Sequence, residues 1–217
     1  MERPEPSYPV GLRLTGRRCL VVGGGELAAH KAAGLLAAGA LVTVVTEEPG
    51  AELCALGVQL IKRPYRPTDL QGCWLAFAAS GSVTLDRAVF ADAEAAGIWC
   101  NVPDDLAACA FYLPAIARAG SVSLAVSSDG MSPALSSLLR DELAVALSDA
   151  IAQVADILGE TRQALRAQGR PLHGLAWREF ASELVEHARR GTPLAELSQC
   201  AERWKARAST LGDVLAE

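Results

Sequence analysis

The chain has 217 residues, of which 51% are hydrophobic and 21% charged, a composition typical of a globular protein with its own core. Its 20 basic and 25 acidic residues give a formal net charge of −5, which argues against a nucleic-acid-binding surface. No apolar stretch reaches the roughly 18 residues of a membrane span, and residues 1–14 lack the apolar core of a signal peptide. We therefore expect a cytoplasmic protein that binds neither nucleic acid nor membrane.

Alternating apolar segments and glycines along the first half predict a Rossmann-like α/β domain. The apolar run 19–22 ends at three glycines and predicts a buried strand, residues 26–38 predict a helix, and the β-branched run 41–45 predicts the next strand. The same alternation continues with predicted strands at 57–62, 74–79, 98–102 and 121–127 and a predicted helix at 86–96. Strands that alternate with helices favour a parallel sheet.

The second half of the chain has a helical pattern. Ser132 and Pro133 supply an N-cap and a first-turn proline for one long helix, which we expect to continue to Leu165. A break is predicted at 168–174, followed by helices at 177–189 and from 194 to 205 or beyond. We predict a sheet domain at 1–115, a joining segment at 116–150 and a helical domain at 151–217.

The cysteines and histidines show no metal-binding spacing. The six cysteines form no Cys-x-x-Cys pair and several lie in apolar runs, which predicts reduced, structural thiols. The histidines are His30, His173 and His187, and their separations do not fit a set of metal ligands. His30 follows the glycines by about one helical turn, where a surface or core role is favoured over a functional one. We therefore predict no metal site.

The three glycines after the first strand fit a motif for binding a dinucleotide. Gly23, Gly25 and Ala28 match G-x-G-x-x-A at the start of a helix, where backbone N–H groups and the helix dipole attract phosphates. The second predicted strand ends at Thr46, and the two glutamates that follow it would repel a 2′-phosphate. The pattern predicts NAD rather than NADP as the cofactor, and the alternative is a glycine turn in a sheet without a ligand.

Two carboxylates follow the predicted strand 98–102. Asp104 and Asp105 lie where the carboxyl ends of parallel strands face the ligand crevice, so either can take a proton, orient a cationic substrate or bind a metal. The same Pro-Asp-Asp sequence is also ordinary turn chemistry, and both interpretations stay open. Further on, residues 127–132 form a hydroxyl-rich turn in which helix capping is favoured over nucleophilic catalysis, because no histidine lies nearby in the sequence.

Three patterns make the chain resemble a known enzyme family over about residues 8–150. They are Asn-Val-x-Asp from Asn101, Phe-x-x-Pro-Ala from Phe111 and Ser-x-x-Gly-x-Ser-Pro from Ser127, and they accompany the glycine motif. With them the sequence resembles the NAD-dependent precorrin-2 dehydrogenases, including the amino-terminal module of sirohaem synthases. The resemblance implies oxidation of precorrin-2 to sirohydrochlorin with NAD as hydride acceptor, and in many members insertion of ferrous iron at the same site.

The resemblance also assigns residues. It places the catalytic aspartate of the family on Asp104, as a base or as an orienting carboxylate. Asn101, Ser128 and His30 are candidates for the substrate side, and Ser128 matches a phosphorylatable serine of sirohaem synthase. The NAD contacts of the family fall on Gly23, Gly24, Gly25, Glu26, Leu27, Thr46 and Glu47. Because family members are homodimers joined after the Rossmann domain, the resemblance implies a dimer formed through residues 116–150.

Two other functions stay open from the sequence. A dehydrogenase without chelatase activity would leave metal insertion to a separate protein. A non-catalytic NAD-sensing module is favoured by the extra helical tail and by a loop that departs from the family pattern, Ala79-Ser80-Gly81-Ser82 with Asp86. A tetrapyrrole with many carboxylates also requires cations near the crevice. The candidates are Arg63, Arg66, Arg118 and Arg140, each of which taken singly is better explained as a solvated side chain.

Overall fold

The computed structural model of the protein describes residues 6–170, 172–173 and 175–214. It divides into two compact units, unit 1 with Met1–Leu113 and Asp129–Met131, and unit 2 with Pro114–Ser128 and Ser132–Glu217. The ends of the first and last predicted domains, residues 1–5 and 215–217, lie outside the described residues. The division into three domains at 115/116 and 150/151 stays a prediction.

Unit 1 is built on a sheet of five parallel strands, as the sequence predicts. The strands are β1 (Arg18–Val22), β2 (Leu41–Thr46), β3 (Gln59–Lys62), β4 (Leu75–Ala78) and β5 (Trp99–Asn101), in the spatial order β3-β2-β1-β4-β5. β1 lies at the centre, with Val21 opposite Val44 on one side and Phe77 on the other. The strand order reverses between β1 and β4, and ligands of such sheets bind at the carboxyl ends of the strands beside the reversal.

From residue 6 onward in unit 1, three helices accompany the sheet: α1 (Glu26–Ala37), α2 (Ala51–Ala55) and α3 (Val83–Ala95). α3 begins at Val83 rather than at the predicted residue 86, because Ser82 caps it by accepting a hydrogen bond from the Leu85 N–H at 3.4 Å. The sequence does not predict α2 or two 3-10 turns, at Pro67–Leu70 and Leu106–Ala108. Such short segments contain too little periodicity to be recognised.

The central strand is buried on both faces, which explains its continuous apolar sequence. Cys19 and Val21 of β1 pack in the cluster that includes α1, and Leu20 and Val22 pack in the cluster that includes α3. α1 contributes mostly alanines to its cluster, at positions 28, 29 and 32. These small side chains let the helix approach the sheet closely, so its first turn lies beside the end of β1.

The described residues of unit 2 form a β-hairpin and four helices. The elements are β6 (Ala115–Ala119), β7 (Val122–Val126), α4 (Pro133–Ala144), α5 (Asp149–Ala167), α6 (Trp177–Arg189) and α7 (Leu194–Val214). β6 and β7 pair antiparallel, and Gly120 and Ser121 connect them. β7 is among the strands predicted from the sequence and β6 is not, although a Gly-Ser pair between two alternating runs is a hairpin signal. α6 agrees with its prediction, and residues 171 and 174 of the predicted break lie outside the described residues.

The prediction of one long helix from Pro133 to Leu165 is wrong. α4 ends at Ala144, and α5 begins at Asp149 after Ser148, which has an extended backbone. Ser-Asp is an ordinary signal for a helix N-terminus. It is hidden in this sequence because the residues on both sides continue the alanine- and leucine-rich composition of a helix.

Helices α5, α6 and α7 share a core of their own. Phe180 is 1% exposed and stacks on Trp204 with ring centroids 4.4 Å apart, and Leu184 and Leu197 are buried in the same cluster. This packing fixes the register of α6 against α7. Within the residues that the structure describes, no helix is both long and apolar enough to cross a membrane.

Candidate functional site

Two glycines give the loop after β1 its shape. Gly23 has a φ of +138°, and a Cβ there would lie 2.1 Å from the Ala79 oxygen. A Cβ on Gly24 would lie 2.1 Å from the Glu48 oxygen, and the Gly50 N–H donates a hydrogen bond to the Gly24 oxygen at 2.8 Å. A side chain at either position would push apart backbone segments that follow β4 and β2. Both glycines are therefore required by the fold of the loop itself.

Gly25 differs, because a Cβ there would meet no atom within 4 Å. It is the N-cap residue of α1, and no side chain caps this helix. The first N–H groups of α1 therefore have no side-chain acceptor and lie at the positive end of the helix dipole. Glu26 and Leu27 are exposed in this first turn. An open glycine before uncapped donors fits the pyrophosphate of a dinucleotide.

Two clefts border the first turn of α1. The first cleft has a volume of about 290 Å³ and lies between the start of α1 and the start of α2, with Gly25 and Gly50 among its lining residues. The second cleft has a volume of about 430 Å³ and is lined by Leu27 of α1, the start of α3 and the residues after β4 and β5, including Asp104. An extended ligand that crosses the loop reaches both clefts, as a dinucleotide does at the reversal of strand order.

The predicted ribose-binding residues lie at the end of β2. Thr46 is the last residue of the strand, and its hydroxyl donates a hydrogen bond to the Glu48 oxygen at 3.4 Å. Its Oγ1 would also lie 2.6 Å from a Cβ on Gly24, so Thr46 packs directly against the glycine loop. Glu47 is exposed beside it. Contacts of Thr46 and Glu47 with NAD stay predictions.

Asp104 and Asp105 have different environments. Asp105 forms a salt bridge with Arg87, with 2.7 Å between the carboxylate and Nε, and the hydrogen bond from Arg87 lowers the pKa of Asp105. Asp104 is exposed, lines the second cleft and, within the described part of the chain, makes no hydrogen bond or salt bridge through its carboxylate. Its φ of +67° lies in the left-handed region, which aspartate adopts more readily than most residues. Of the two acids, Asp104 is the one available to a ligand.

Buried hydrogen bonds hold the loop that carries Asp104. Asn101 is 7% exposed, and its Nδ2 donates to the Phe111 oxygen at 2.9 Å and to the Cys109 sulfur at 3.2 Å. The Cys109 thiol donates to the Val102 oxygen at 3.1 Å, and burial raises the pKa of this thiol, which keeps it protonated as a donor. Asn101 therefore positions the loop from inside. A contact between Asn101 and substrate stays a prediction.

Lys31 is a candidate that the sequence by itself does not indicate. It lies on α1 beside His30, but its side chain is half-buried with Nζ 5.8 Å from the centre of the Phe77 ring, whereas His30 is exposed. Burial lowers the pKa of Lys31, and the negative charge of Asp104 acts in the opposite direction. The lysine thus places a positive charge that acts on Asp104. Its sequence signal is a single lysine among alanines, which does not distinguish it from a solvated side chain.

The loop that departs from the family pattern is closed by its own hydrogen bonds. Asp86 is 6% exposed and accepts a hydrogen bond from the Ser80 N–H at 3.0 Å. Ser80 Oγ accepts one from the Ser82 N–H at 3.1 Å, and Gly81 between them has a φ of +81°. The altered sequence therefore still forms an ordered border of the second cleft.

Two other predicted substrate contacts have partners within the protein. Ser128, in unit 2, accepts hydrogen bonds from the Ser132 N–H at 3.0 Å and from the Ser136 hydroxyl at 2.9 Å. Arg63 binds Asp69 through both guanidinium Nη atoms, at 2.5 and 2.8 Å. The hydrogen bonds of Ser128 stabilise the start of α4, and substrate binding by Ser128 or His30 stays a prediction.

Two family models match adjoining parts of the chain. Residues 10–115 match a model described as putative NAD(P)-binding, and residues 120–146 match one described as sirohaem biosynthesis protein central. The chain is 38% identical over 165 residues to a siroheme synthase of Neisseria meningitidis serogroup C and 40% identical over 164 residues to one of Salmonella dublin. The chain is thus similar to siroheme synthases over about three quarters of its own length. Both alignments cover 74% of this chain but 34% and 36% of the relatives, so the chain spans about a third of their length.

A solved structure shares the fold of this chain. The structure described as "SirC, precorrin-2 dehydrogenase" matches with a TM-score of 0.71, covering 91% of this chain and 100% of that chain. Its sequence identity of 24% makes this a likeness of fold. It confirms the predicted Rossmann-like α/β architecture with a helical carboxyl-terminal region.

Replacing Gly25 by alanine should separate cofactor binding from folding. Its backbone, with φ −86° and ψ −174°, suits alanine, and a Cβ there meets no atom, so G25A is expected to keep the melting temperature of the parent. The methyl group would occupy the space beside the α1 N–H groups where a phosphate approaches. We therefore expect the Kd for NAD⁺, measured by calorimetric titration, to rise at least about tenfold.

Gly34 provides the matched control, because it lies further along α1 and a Cβ there also meets no atom within 4 Å. G34A is expected to bind NAD⁺ as the parent does and to gain about 0.5–1 kcal/mol of stability, since alanine suits a helix interior better than glycine. Unchanged NAD⁺ binding by G25A would contradict the assignment of the loop.

Proposed function

We propose that this protein is an NAD-dependent dehydrogenase that oxidises precorrin-2 to sirohydrochlorin. The observation that carries the proposal is the carboxylate of Asp104, unpaired among the described residues, in the cleft that Leu27 of the first α1 turn also lines. A carboxylate beside a dinucleotide motif, at the carboxyl edge of a parallel sheet, suits dehydrogenase chemistry. Relationship to the siroheme synthases and the fold shared with a precorrin-2 dehydrogenase support this choice of substrate.

The glycine loop and the first turn of α1 fit the cofactor. We assign the pyrophosphate side to Gly23, Gly24, Gly25, Glu26 and Leu27, and the ribose side to Thr46 and Glu47. The open space at Gly25 and the uncapped start of α1 support the first assignment. The exposed carboxylate of Glu47 would repel a 2′-phosphate, which favours NAD over NADP. Bound NAD supplies the acceptor for the hydride.

Asp104 and Lys31 are the groups of the protein that we assign to the substrate side of the chemistry. Oxidation of the tetrapyrrole releases a proton together with the hydride, and the Asp104 carboxylate is placed to accept that proton or to orient the carbon that loses it. A substrate with many carboxylates repels Asp104. The charge of Lys31, which acts on Asp104, offsets part of this repulsion.

We further propose that ferrous iron is a substrate of the same cleft, in a chelatase reaction that gives sirohaem. The names of the siroheme synthase relatives support this, and an exposed carboxylate such as that of Asp104 is a suitable oxygen ligand for a transient cation. Two alternatives remain distinguishable by experiment. One is a dehydrogenase that leaves chelation to another protein, and the other is a non-catalytic NAD-sensing module.

The proposed location is the cytoplasm. All six cysteines have free thiols, and Cys19 and Cys100 are buried. Burial raises the pKa of Cys19 to about 11 and that of Cys100 to about 12, so both thiols are protonated and unreactive at neutral pH. Thiols that stay reduced are typical of cytoplasmic proteins.

We propose a homodimer joined through the segment 116–150. Leu135, Leu138 and Leu143 of α4 are 48%, 55% and 51% exposed, and their spacing places them along one side of the helix. Val145, just after the helix, is 85% exposed. A contiguous apolar stripe of this kind suits burial against a second copy of the chain, the partner that the family resemblance implies.

The asparagine variant of Asp104 tests the dehydrogenase directly. Asparagine tolerates the left-handed backbone at this position, so D104N removes the charge without adding strain. We expect NADH formation from precorrin-2 under anaerobic conditions to fall about 10²–10⁴-fold, with the Kd for NAD⁺ unchanged. D156N is the control, because Asp156 is an exposed aspartate of α5 outside the segment 116–150, and it should leave the turnover unchanged.

The same assay separates the alternatives. Turnover by D104N equal to that of the parent would overturn the catalytic assignment of Asp104. No turnover by the parent would favour the NAD-sensing module. With sirohydrochlorin and ferrous ion, no insertion above the spontaneous rate would remove the chelatase and leave the dehydrogenase.

Replacing Lys31 by methionine is expected to raise stability and lower activity. Because burial lowers the pKa of Lys31, the unfolded chain holds this proton more tightly, so the charged lysine opposes folding at neutral pH. The opposition is complete below the lowered pKa and is lost as the pH rises from that value to 10.5, the ordinary lysine value, so the stability advantage of K31M over the parent should shrink across this range. Precorrin-2 turnover should fall, since Asp104 loses its neighbouring positive charge.

Thermal unfolding across this pH range and initial rates of NADH formation measure the two effects. K62M is the control, because Lys62 is exposed on β3, and it should change neither quantity. A destabilised K31M with normal turnover would show that the lysine is structural.

A charge in the apolar stripe of α4 tests the dimer. The parent is expected to sediment as a dimer and L138E as a monomer, because a carboxylate buried without a partner opposes association. L194E is the control, since Leu194 is 48% exposed on α7, outside the segment 116–150. A monomeric parent would refute the proposal.

A further inference from the structure

Helices α6 and α7 bring together three side chains with metal-binding chemistry. Glu183 and His187 lie four residues apart on α6, so they share one face of the helix, and Cys200 lies on α7. One ligand atom from each residue, a carboxylate oxygen, an imidazole nitrogen and a thiol sulfur, lies within 4.8 Å of the other two. The three groups thus converge although their positions in the sequence suggest no common site.

The backbone beneath this cluster is held by the core of unit 2. Leu184, next to Glu183, is fully buried, and Leu197 and Ala201 on either side of Cys200 are 1% and 4% exposed. The helices therefore cannot slide or rotate without breaking their packing. Above this fixed backbone, His187 and Cys200 are partly exposed and Glu183 is exposed, so an ion can reach the cluster from solvent.

Neighbouring polar groups support a ligand role for the two softer donors. The Thr192 hydroxyl lies 3.5 Å from Nδ1 of His187, and metal-bound imidazoles usually have such a partner on the nitrogen that does not bind the ion. Arg203 Nη2 donates a hydrogen bond to the Cys200 sulfur at 3.2 Å. This hydrogen bond orients the Cys200 side chain, and sulfur is a common ligand of zinc-class metals.

We propose that Glu183, His187 and Cys200 form a binding site for a divalent transition metal of the zinc class. Nitrogen, sulfur and carboxylate donors together suit a borderline-soft cation and do not suit calcium or magnesium. Ligands at about 2.0–2.3 Å from zinc lie roughly 3.3–3.8 Å from one another, so small side-chain rotations close the cluster around the ion. Three protein ligands leave the fourth tetrahedral position to water.

The site is distinct from the proposed dehydrogenase. All three residues belong to unit 2 and lie after residue 150, whereas the glycine loop and Asp104 belong to unit 1. The ion that we propose here is resident on the protein, unlike the ferrous substrate of the chelatase reaction.

Cobalt(II) is the probe that reports on the sulfur ligand. The full-length protein, freed of metal with a chelator and kept reduced, is titrated with CoCl₂ in the absence of NAD and tetrapyrrole, and zinc binding is then measured by calorimetry. We expect one ion per chain and a thiolate-to-cobalt charge-transfer band in the near ultraviolet. C200S should lose that band, and E183Q and H187Q should weaken zinc binding at least about tenfold.

C54S is the matched control. Cys54 is a free cysteine like Cys200, but it lies on α2 in unit 1, where its side chain is exposed. C54S should keep both the band and the zinc affinity, as should D104N, which separates this site from the proposed active site. Circular dichroism checks that each variant is folded. If C200S does not fold, zinc binding by E183Q tests the site instead, because the Glu183 side chain is exposed and its replacement should not disturb the core. A parent without the band, or E183Q and C200S that bind as the parent does, would overturn the proposal.

Discussion

The contact between the glycine loop and two neighbouring backbone segments is the constraint on which unit 1 depends. Gly23 lies against Ala79 after β4, and Gly24 lies against Glu48 after β2, each so closely that a Cβ would come within 2.1 Å of a carbonyl oxygen. These contacts fix the turn between the central strand β1 and α1, so α1 begins at the carboxyl edge of the sheet. Because the next glycine is open, the uncapped donors of α1 face ligand space, with a cleft on either side.

The second cleft combines features that oppose stability. Asp104 has a left-handed backbone, and Lys31 keeps an ammonium group in a half-buried position that disfavours its charge. Such conformations persist when the surroundings hold them in place, and they are concentrated at functional sites. Here the hydrogen bonds of Asn101 and Cys109 hold the loop from within. The buried part of the loop is thus structural, and its exposed carboxylate is left for chemistry.

Much of unit 1 can be predicted from the sequence because its signals are local. A strand such as β1 is buried on both faces and therefore has a continuous apolar sequence, and a helix that begins after glycines appears as an alanine-rich run. Local signals do not predict the break between α4 and α5, from Ala144 to Asp149. There the helix ends within a segment whose composition stays helical, and only Ser148 marks the new start. β6 is a different case, because the Gly-Ser pair between two alternating runs is a local hairpin signal that the predicted elements do not include.

The sequence by itself determined the parallel sheet, the position of the dinucleotide motif and the strand after which the two aspartates lie, because periodicity and glycine placement act over a few residues. Only the tertiary structure decided between those aspartates, since the partner of Asp105 is Arg87 on another element. It likewise placed Lys31 where its charge acts on Asp104, and joined Cys200 to Glu183 and His187 across two helices. Packing decides such contacts, because they join side chains far apart in the chain and depend on the register in which the helices and the sheet meet.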